Sequence, residues 1–260
     1  MRIAGADRHV TVIIPCLNEE APIADAVREV LSQQVDEVIV VDNGSTDETA
    51  SRAWQAGARV VAEPRRGYGR ACAAGFAAVG PRVDIVCFLD GDGSDVPGFI
   101  PDMVRPIVEN RADFVMGSRR RGTRENGSMT PQQLVAGHIA GLLLRIVYGV
   151  RFTDMSPFRA IPAAKLAGLG MTETTYGWNL EMQMRVAASG LRIAEIPVDH
   201  RCRRGGESKV SGRLLAGLSA AWKISATFVR LLFSLKKARP AATDVVTPPR
   251  LPAGNSRPRP

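Results

Sequence analysis

The chain is 260 residues long, 45% hydrophobic and 23% charged, with a formal charge of +8, which gives it material for a globular core and excludes a wholly disordered protein. The length fits one α/β domain or two small ones, and the charge calls for anionic partners. Aromatic residues are only 5% and do not interleave with the basic runs, so a nucleic-acid-binding module is the weaker account of that charge.

Residues 1–8 lack the apolar stretch of a signal peptide and are expected to be a flexible N-terminus. Residues 10–15 read as a buried strand, 22–33 as a helix and 37–42 as a Val/Ile-rich strand. Ser45-Thr46-Asp47-Glu48 has the spacing of a capping box and predicts a helix from there to about Gly57. A strand at 58–62, a loop at 63–67, a helix at 68–79, a strand at 83–90, a helix at 100–110 and a strand at 113–117 follow. Strands separated by helices predict βαβ units in a mostly parallel sheet with helices on both faces.

Beyond Ser118 the pattern changes. Residues 118–132 are a polar loop rich in Arg and Gly, 132–148 a Leu-rich helix, 151–160 short and irregular, 179–189 a helix and 191–198 a strand. A basic loop, 200–208, comes next. Residues 213–237 predict an amphipathic helix with Leu214, Leu218, Ala221, Phe228 and Leu232 on one face and Lys223, Arg230 and Lys237 opposite. It either packs on the domain or lies on a membrane surface. Residues 238–260 are rich in Pro and Arg and are expected to be disordered. The globular domain therefore spans 9–212.

Four cysteines without C-x-x-C spacing fit a reduced compartment better than a disulfide framework. No stretch is long and apolar enough for a membrane span. The expected location is the cytoplasm, with any membrane contact peripheral.

Chemistry concentrates where strands run out. Asp90-Gly91-Asp92 ends the apolar run 83–89 and is either a solvated turn or a carboxylate clamp for Mg²⁺ or Mn²⁺, whose remaining oxygens a phosphorylated ligand would supply. In an open α/β sheet, ligands sit at the carboxyl ends of strands. Asp42 is likewise a turn aspartate or an acceptor for ribose or base. Arg119, Arg203 and Arg204 fall in loops beside strands and are either solvated surface or phosphate contacts. Asp154 and Glu181 are the candidate bases should the acceptor be a hydroxyl, Glu181 being otherwise a capping or salt-bridging glutamate. Trp54 reads as a packing residue. Trp178 is either a packing residue or a platform for a sugar, and His200 either a satisfied histidine or a ligand contact.

Taken in order, Ile14-Pro15-Cys16-Leu17-Asn18-Glu19-Glu20, Val40-Val41-Asp42-Asn43-Gly44-Ser45-Thr46-Asp47 and Asp90-Gly91-Asp92 resemble the family 2 glycosyltransferases. Gly67-Tyr68-Gly69-Arg70-Ala71, Gly117-Ser118-Arg119, Thr153 through Ala160 and Gly205-Gly206-Glu207-Ser208-Lys209 extend the likeness over about residues 8–215. They are similar to the branch that includes dolichol-phosphate mannosyltransferase and polyprenyl-phosphate glucosyltransferases. The resemblance implies the GT-A nucleotide-diphosphosugar transferase fold. It also implies metal-dependent, inverting transfer of a sugar from a nucleotide diphosphate to a polyprenyl phosphate. A saccharide or natural-product hydroxyl is the alternative acceptor.

Carried over by motif, Pro15, Asn18, Glu19 and Asp42, with Gly69 and Arg70, would bind the nucleotide sugar. Asp90 and Asp92 would hold the metal with Ser94 nearby. Arg119 would meet the acceptor phosphate or the transferred sugar, and Arg203 or Arg204 with Ser208 and Lys209 would contact phosphates. The branch's mannosyltransferases commonly carry Gln where this chain has Ser94.

Overall fold

A computed structural model of the chain describes residues 1–3, 6–204 and 226–233. Two short strands, β1 (Arg2–Ile3) and β2 (Ala6–Asp7), pair antiparallel at the N-terminus. The Met1 ammonium donates to Asp36 Oδ2 at 2.8 Å, so this end is tied to the domain where a flexible tail was expected.

The main sheet is built from β3 (Val10–Cys16), β4 (Glu37–Asp42), β5 (Arg59–Ala62), β6 (Ile85–Phe88), β7 (Phe114–Ser118), β8 (Arg159–Pro162) and β9 (Ile193–Pro197), in the order β5-β4-β3-β6-β8-β7-β9. β3 pairs in parallel with β4 and β6, β4 with β5, and β7 with β9. β8 runs antiparallel to both β6 and β7. Every residue of β3 is buried, because both faces of the sheet are covered, and such strands read as unbroken apolar runs rather than alternations.

Alternate residues feed two cores. Ile13, Ile39, Val41, Val86, Phe88 and Phe114 pack with the helices α3 (Tyr68–Ala77), α5 (Pro131–Tyr148), α6 (Ala163–Leu169) and α7 (Trp178–Ala188), joined by Phe228 and Leu231 of the helical segment 226–233. Val12, Ile14, Val38, Val40, Cys87 and Val115 pack with α1 (Ile23–Leu31), α2 (Thr49–Gln55) and α4 (Ile100–Val108). Each strand residue thus commits to one core by the period-two pleat.

Two expectations fail locally. The capping box at Ser45 does not form: α2 begins at Thr49, and Glu48 precedes it without a side-chain cap. The true capping box opens α5, where Thr130 and Gln133 bond reciprocally ahead of Pro131. Residues 151–160 were expected to be irregular, yet β8 starts within them and α6 follows. Ala163-Ala164-Lys165-Leu166 ending at Gly170 (φ 62°) was a legible helix with its left-handed stop. Of the predicted 213–237 helix, only 226–233 lies within the described residues. There Phe228 and Leu231 are buried and Phe233 is 85% exposed. The tail 238–260 lies outside them.

Candidate active site

Because β3, β4, β6 and β7 run the same way, the residues just past their ends gather at one edge of the sheet. β8 runs oppositely, so it brings the residues before its start to that same edge. Asn18, Asp42, Asp90, Arg119 and Asp154 are assembled there by topology alone.

At the end of β6 the chain turns sharply. The Asp90 amide donates to Asp95 Oδ2 at 2.9 Å, and the Ser94 amide to Asp92 Oδ1 at 2.9 Å. Gly91 permits the close approach: a Cβ there would lie 2.4 Å from Cys16 Sγ. Asp92 and Asp95 are buried. Burial, followed by the charges of Asp92 and Asp95, pushes the Asp90 carboxyl well above the carboxylate range. The Tyr68 hydroxyl donates to Asp90 Oδ1 at 3.2 Å, and Arg203 Nε stands 3.0 Å from Asp92 Oδ2. This oxygen-only set of crowded carboxylates suits a hard divalent cation, which would relieve their mutual repulsion. Among the described residues no cluster of three metal-ligating side chains occurs, so a cation here would draw further oxygens from a ligand or water.

The neighbouring loops clasp each other. Thr46 N donates to Asn18 Oδ1 (2.9 Å), Asn18 N to Ser45 Oγ (3.0 Å), and Glu19 N to Thr49 Oγ1 (2.8 Å). Asp42 Oδ1 accepts from Ser45 N at 3.1 Å. Asn18 sits at φ 52°, a conformation that asparagine tolerates better than most residues. Ser45 serves this clasp, which is why it does not cap a helix. Pro15 is buried in β3, in register with Val41. The Asn43 side chain ties down the next loop, donating to Glu63 O and Arg65 O (both 2.9 Å) and accepting from Gly67 N (2.7 Å).

On the other side, Arg119 Nε and Nη2 each reach Asp154 at 2.8 Å, and the Arg119 amide adds a third bond at 3.0 Å. Burial opposes the Asp154 charge, but the Arg119 guanidinium holds that carboxyl below its usual range. Thr153 beside it is fixed by Glu195 through its amide (2.8 Å) and hydroxyl (3.0 Å). α5 lies against this pair: a Cβ on Gly137 would be 3.9 Å from Asp154 Oδ1, and one on Gly141 2.3 Å from Phe152 O. His200 is buried with Nδ1 3.9 Å from Asp95 Oδ1. Burial pushes it down to about 4, so it is a neutral wall of the site at pH 7.

Some expected residues stand elsewhere. Arg204 turns away to Glu29 Oε1 at 3.0 Å, leaving Arg203 as the arginine of the pair that faces the clamp. Glu181 is wholly buried in the first turn of α7. It accepts from Thr172 N (3.0 Å), Thr172 Oγ1 (2.8 Å), Glu173 N (2.7 Å) and Arg185 Nε (2.8 Å). Those bonds make it a salt-bridged loop anchor with no face open to an acceptor, the structural one of its two expected roles. Trp178 is 3% exposed and packs in the core, so it is no platform for a sugar, while Trp54, expected to pack, is 70% exposed. Ser208 and Lys209 lie outside the described residues.

Sequence reading passed over Tyr68, Asp95, Asn43 and Glu195 as site residues. Asp95 was legible as the third acid of Asp90-Gly91-Asp92-Gly93-Ser94-Asp95. The other three act through tertiary contacts that leave no local spacing.

The sequence profile of glycosyl transferase family 2 matches residues 11–166. An uncharacterized glycosyltransferase of Mycobacterium bovis is 38% identical over 219 residues, 83% of this chain and 97% of its own. An undecaprenyl-phosphate mannosyltransferase of Micrococcus luteus is 30% identical over 244 residues, 82% of this chain and 96% of that one. The crystal structure of glucosyl-3-phosphoglycerate synthase from Mycobacterium tuberculosis with Mn²⁺, UDP-glucose and phosphoglyceric acid aligns with a TM-score of 0.66 at 25% identity. The alignment covers 87% of this chain and 80% of that one. The seven-stranded α/β architecture is the GT-A fold of these glycosyltransferases, and the chain belongs to glycosyltransferase family 2.

Proposed function

We propose that this chain is an inverting glycosyltransferase that moves a sugar from a nucleotide diphosphate sugar to a polyprenyl phosphate. In this reading Asp90 and Asp92 hold Mg²⁺ or Mn²⁺. The observation that carries the reading is the pairing, at one sheet edge, of a crowded carboxylate cluster with a buried, oriented Arg119. The first suits a metal-bound diphosphate, and the second suits a second phosphate. When bound, the cation neutralises charge that builds on the leaving diphosphate.

The chain's own residues supply the rest. Pro15, Asn18, Glu19 and Asp42 wall the nucleoside pocket on the clasped loops. Gly69 and Arg70 open α3 beside Tyr68, whose hydroxyl orients Asp90. Arg203 adds a fixed positive charge next to Asp92, a preorganised stabiliser of developing negative charge. Ser208 and Lys209 would extend that phosphate contact. Arg119 commits Nε and Nη2 to Asp154 and keeps Nη1 for the acceptor phosphate.

Base chemistry favours a phosphate acceptor. A phosphate monoester has its second pKa at about 6 and is a dianion at neutral pH, so it attacks without a general base. Asp154, locked to Arg119 with its carboxyl below the usual range, is a poor base, and Glu181 is sequestered. A lipid as the carrier of that phosphate is favoured by the surface of α5. Val135, Ile139, Leu142 and Ile146 are 58, 50, 49 and 71% exposed and share one helical face. Arg145 is exposed on the same helix, which contains no acidic residue. An apolar stripe with basic charge, one helix away from Arg119, suits an anionic bilayer surface. No described helix is long and apolar enough to cross a membrane, so such contact would be peripheral.

The test incubates the protein and Mn²⁺ with UDP-glucose or GDP-mannose, and with a short polyprenyl phosphate or phosphoglycerate. The expected product is a glycosyl phospholipid, with loss of anionic-vesicle binding in Ile139→Glu/Ile146→Glu. Transfer to phosphoglycerate alone, without vesicle binding in the parent, would replace the lipid reading. That second reading is favoured by the structural likeness to glucosyl-3-phosphoglycerate synthase.

A further inference from the structure

Glu173 lies outside every motif of the sequence, yet its carboxylate works in two directions. It is 7% exposed. Oε1 accepts from Thr174 N (3.1 Å), Thr175 N (3.0 Å) and Thr175 Oγ1 (2.8 Å). Oε2 accepts from Thr227 Oγ1 (3.3 Å) and from the Arg230 guanidinium. The first set folds the 172–177 loop on itself, and the second fastens that loop to helix 226–233.

The backbone of the same loop closes on the start of α3. A Cβ on Gly69 would lie 2.3 Å from Glu173 O, and one on Gly67 2.3 Å from Thr174 O. Arg70 N donates to Thr174 O at 3.2 Å. Gly177 is packed closely, though less so, against side chains: a Cβ there would lie 2.9 Å from Thr227 Oγ1 and 3.0 Å from Glu173 Cγ. Glu181 braces the loop from behind through Thr172 and Glu173. The 172–177 loop is therefore a wedge with helix 226–233 on one side and Gly67–Arg70 on the other. Beyond Gly67–Arg70, Tyr68 touches Asp90.

We propose that Glu173 is a positioning residue which, with Arg230, sets the start of α3 at Gly67–Arg70, so that donor binding depends on the seating of helix 226–233. The inference rests on Gly69 and Arg70 facing the donor, as proposed above. Packed interfaces of this tightness shift between discrete arrangements rather than bending smoothly. Loosening the Glu173 tie should therefore release the loop as a unit. Arg230 is 63% exposed at its side chain, which makes it the accessible end of the device and leaves the pair open to screening by salt.

The experiment compares the full chain with Arg230→Ala, Arg230→Lys and Glu173→Gln. Hydrogen exchange is followed in peptides covering 67–72 and 172–177. Calorimetry then measures affinity for UDP and GDP with Mn²⁺, and acceptor KM is read separately. The expected result for Arg230→Ala is faster exchange confined to those two segments and nucleotide affinity lower by up to about tenfold, the scale of one lost charge-assisted bond. Acceptor KM should stay within about twofold, and Arg230→Lys should recover most of the loss, as an interaction outside the acceptor site requires. Unchanged exchange and affinity would overturn the proposal, as would faster exchange spread over the whole protein, which marks a merely structural tie. Glu173→Gln keeps an acceptor oxygen while removing the charge, so it reports on the tie even if Arg230→Ala folds poorly. If the parent binds neither UDP nor GDP, the donor reading fails, while the exchange pattern still decides whether Arg230 holds the loop.

Discussion

The two sides of the site solve opposite electrostatic problems. At the end of β6, Asp90, Asp92 and Asp95 crowd together, and burial with mutual repulsion pushes the Asp90 carboxyl up. Past β7, Asp154 meets Arg119 in a buried two-point pair, and the carboxyl is held down. Identical side chains thus behave differently because three buried acids share Arg203 in one environment, whereas Asp154 has a two-point partner of its own in the other. The first arrangement is incomplete without a ligand, and the second is complete before any ligand arrives. On the proposed reading, such a site would take its donor by charge neutralisation and present its acceptor to a rigid, preset guanidinium.

The largest test of that contrast is Asp92→Asn. Turnover should fall by about two orders of magnitude or more, consistent with several kcal/mol of charge stabilisation from the metal. EDTA should reproduce the loss in the parent, and Mn²⁺ should reverse it. Full activity in the variant, or indifference to chelator, would remove the cation from the carboxylate side.

Next comes Arg119→Ala. It strands the Asp154 carboxylate in the interior, at a cost of roughly 3–5 kcal/mol, the range for breaking one half of a buried pair. Removing both partners in Arg119→Ala/Asp154→Ala should recover part of that stability, because no uncompensated charge remains. Urea denaturation of Arg119→Ala, Asp154→Ala and the double variant measures this. Strictly additive losses would show that the two groups do not depend on each other. Folded Arg119→Lys should raise acceptor KM more than it lowers nucleotide affinity, since an ammonium cannot hold Asp154 at two points and serve a phosphate as well.

The smallest effect lies at the foot of β7. Asp113 accepts from Arg192 (2.9 and 2.7 Å) and from Lys165. The Arg192 hydrogen bond, with Lys165, holds its carboxyl well below the usual range despite some burial. A depressed folded value adds stability above the unfolded pKa of about 3.9, and that stability is lost as pH falls toward the folded value. Both cations are well exposed, so the contribution is screened. Asp113→Asn should cost only about 1 kcal/mol at pH 7, with the gap to the parent closing below about pH 4. A gap that persists into acid would mean that packing, not charge, sets the effect.

The clearest lesson in reading the chain comes from Ser45 and Glu48. Their spacing is that of a helix cap, but Asn18, almost thirty residues earlier, recruits the Ser45 hydroxyl, and the helix starts at Thr49. Local spacing names the bonds a residue can make, and a neighbour across the sheet decides which it does make. Glu181 repeats the point. Its helix position left a base and a salt-bridging anchor equally open, and its oxygens are spent on Thr172, Glu173 and Arg185.

By itself the sequence determined the βαβ rhythm, the two-sided burial of β3 and β4, and the placing of Asp90 and Asp92 at a strand end. Apolar period and strand-end acids are local, and a parallel sheet places all strand ends on one side. The tertiary structure alone decided that β8 enters the sheet antiparallel and so delivers Asp154 to Arg119. It alone decided that Arg203 rather than Arg204 faces Asp92, and that Glu173 joins helix 226–233 to the start of α3. Those outcomes depend on which distant partner reaches a charged group first. In a buried setting, each such group keeps the partner that best repays its loss of water.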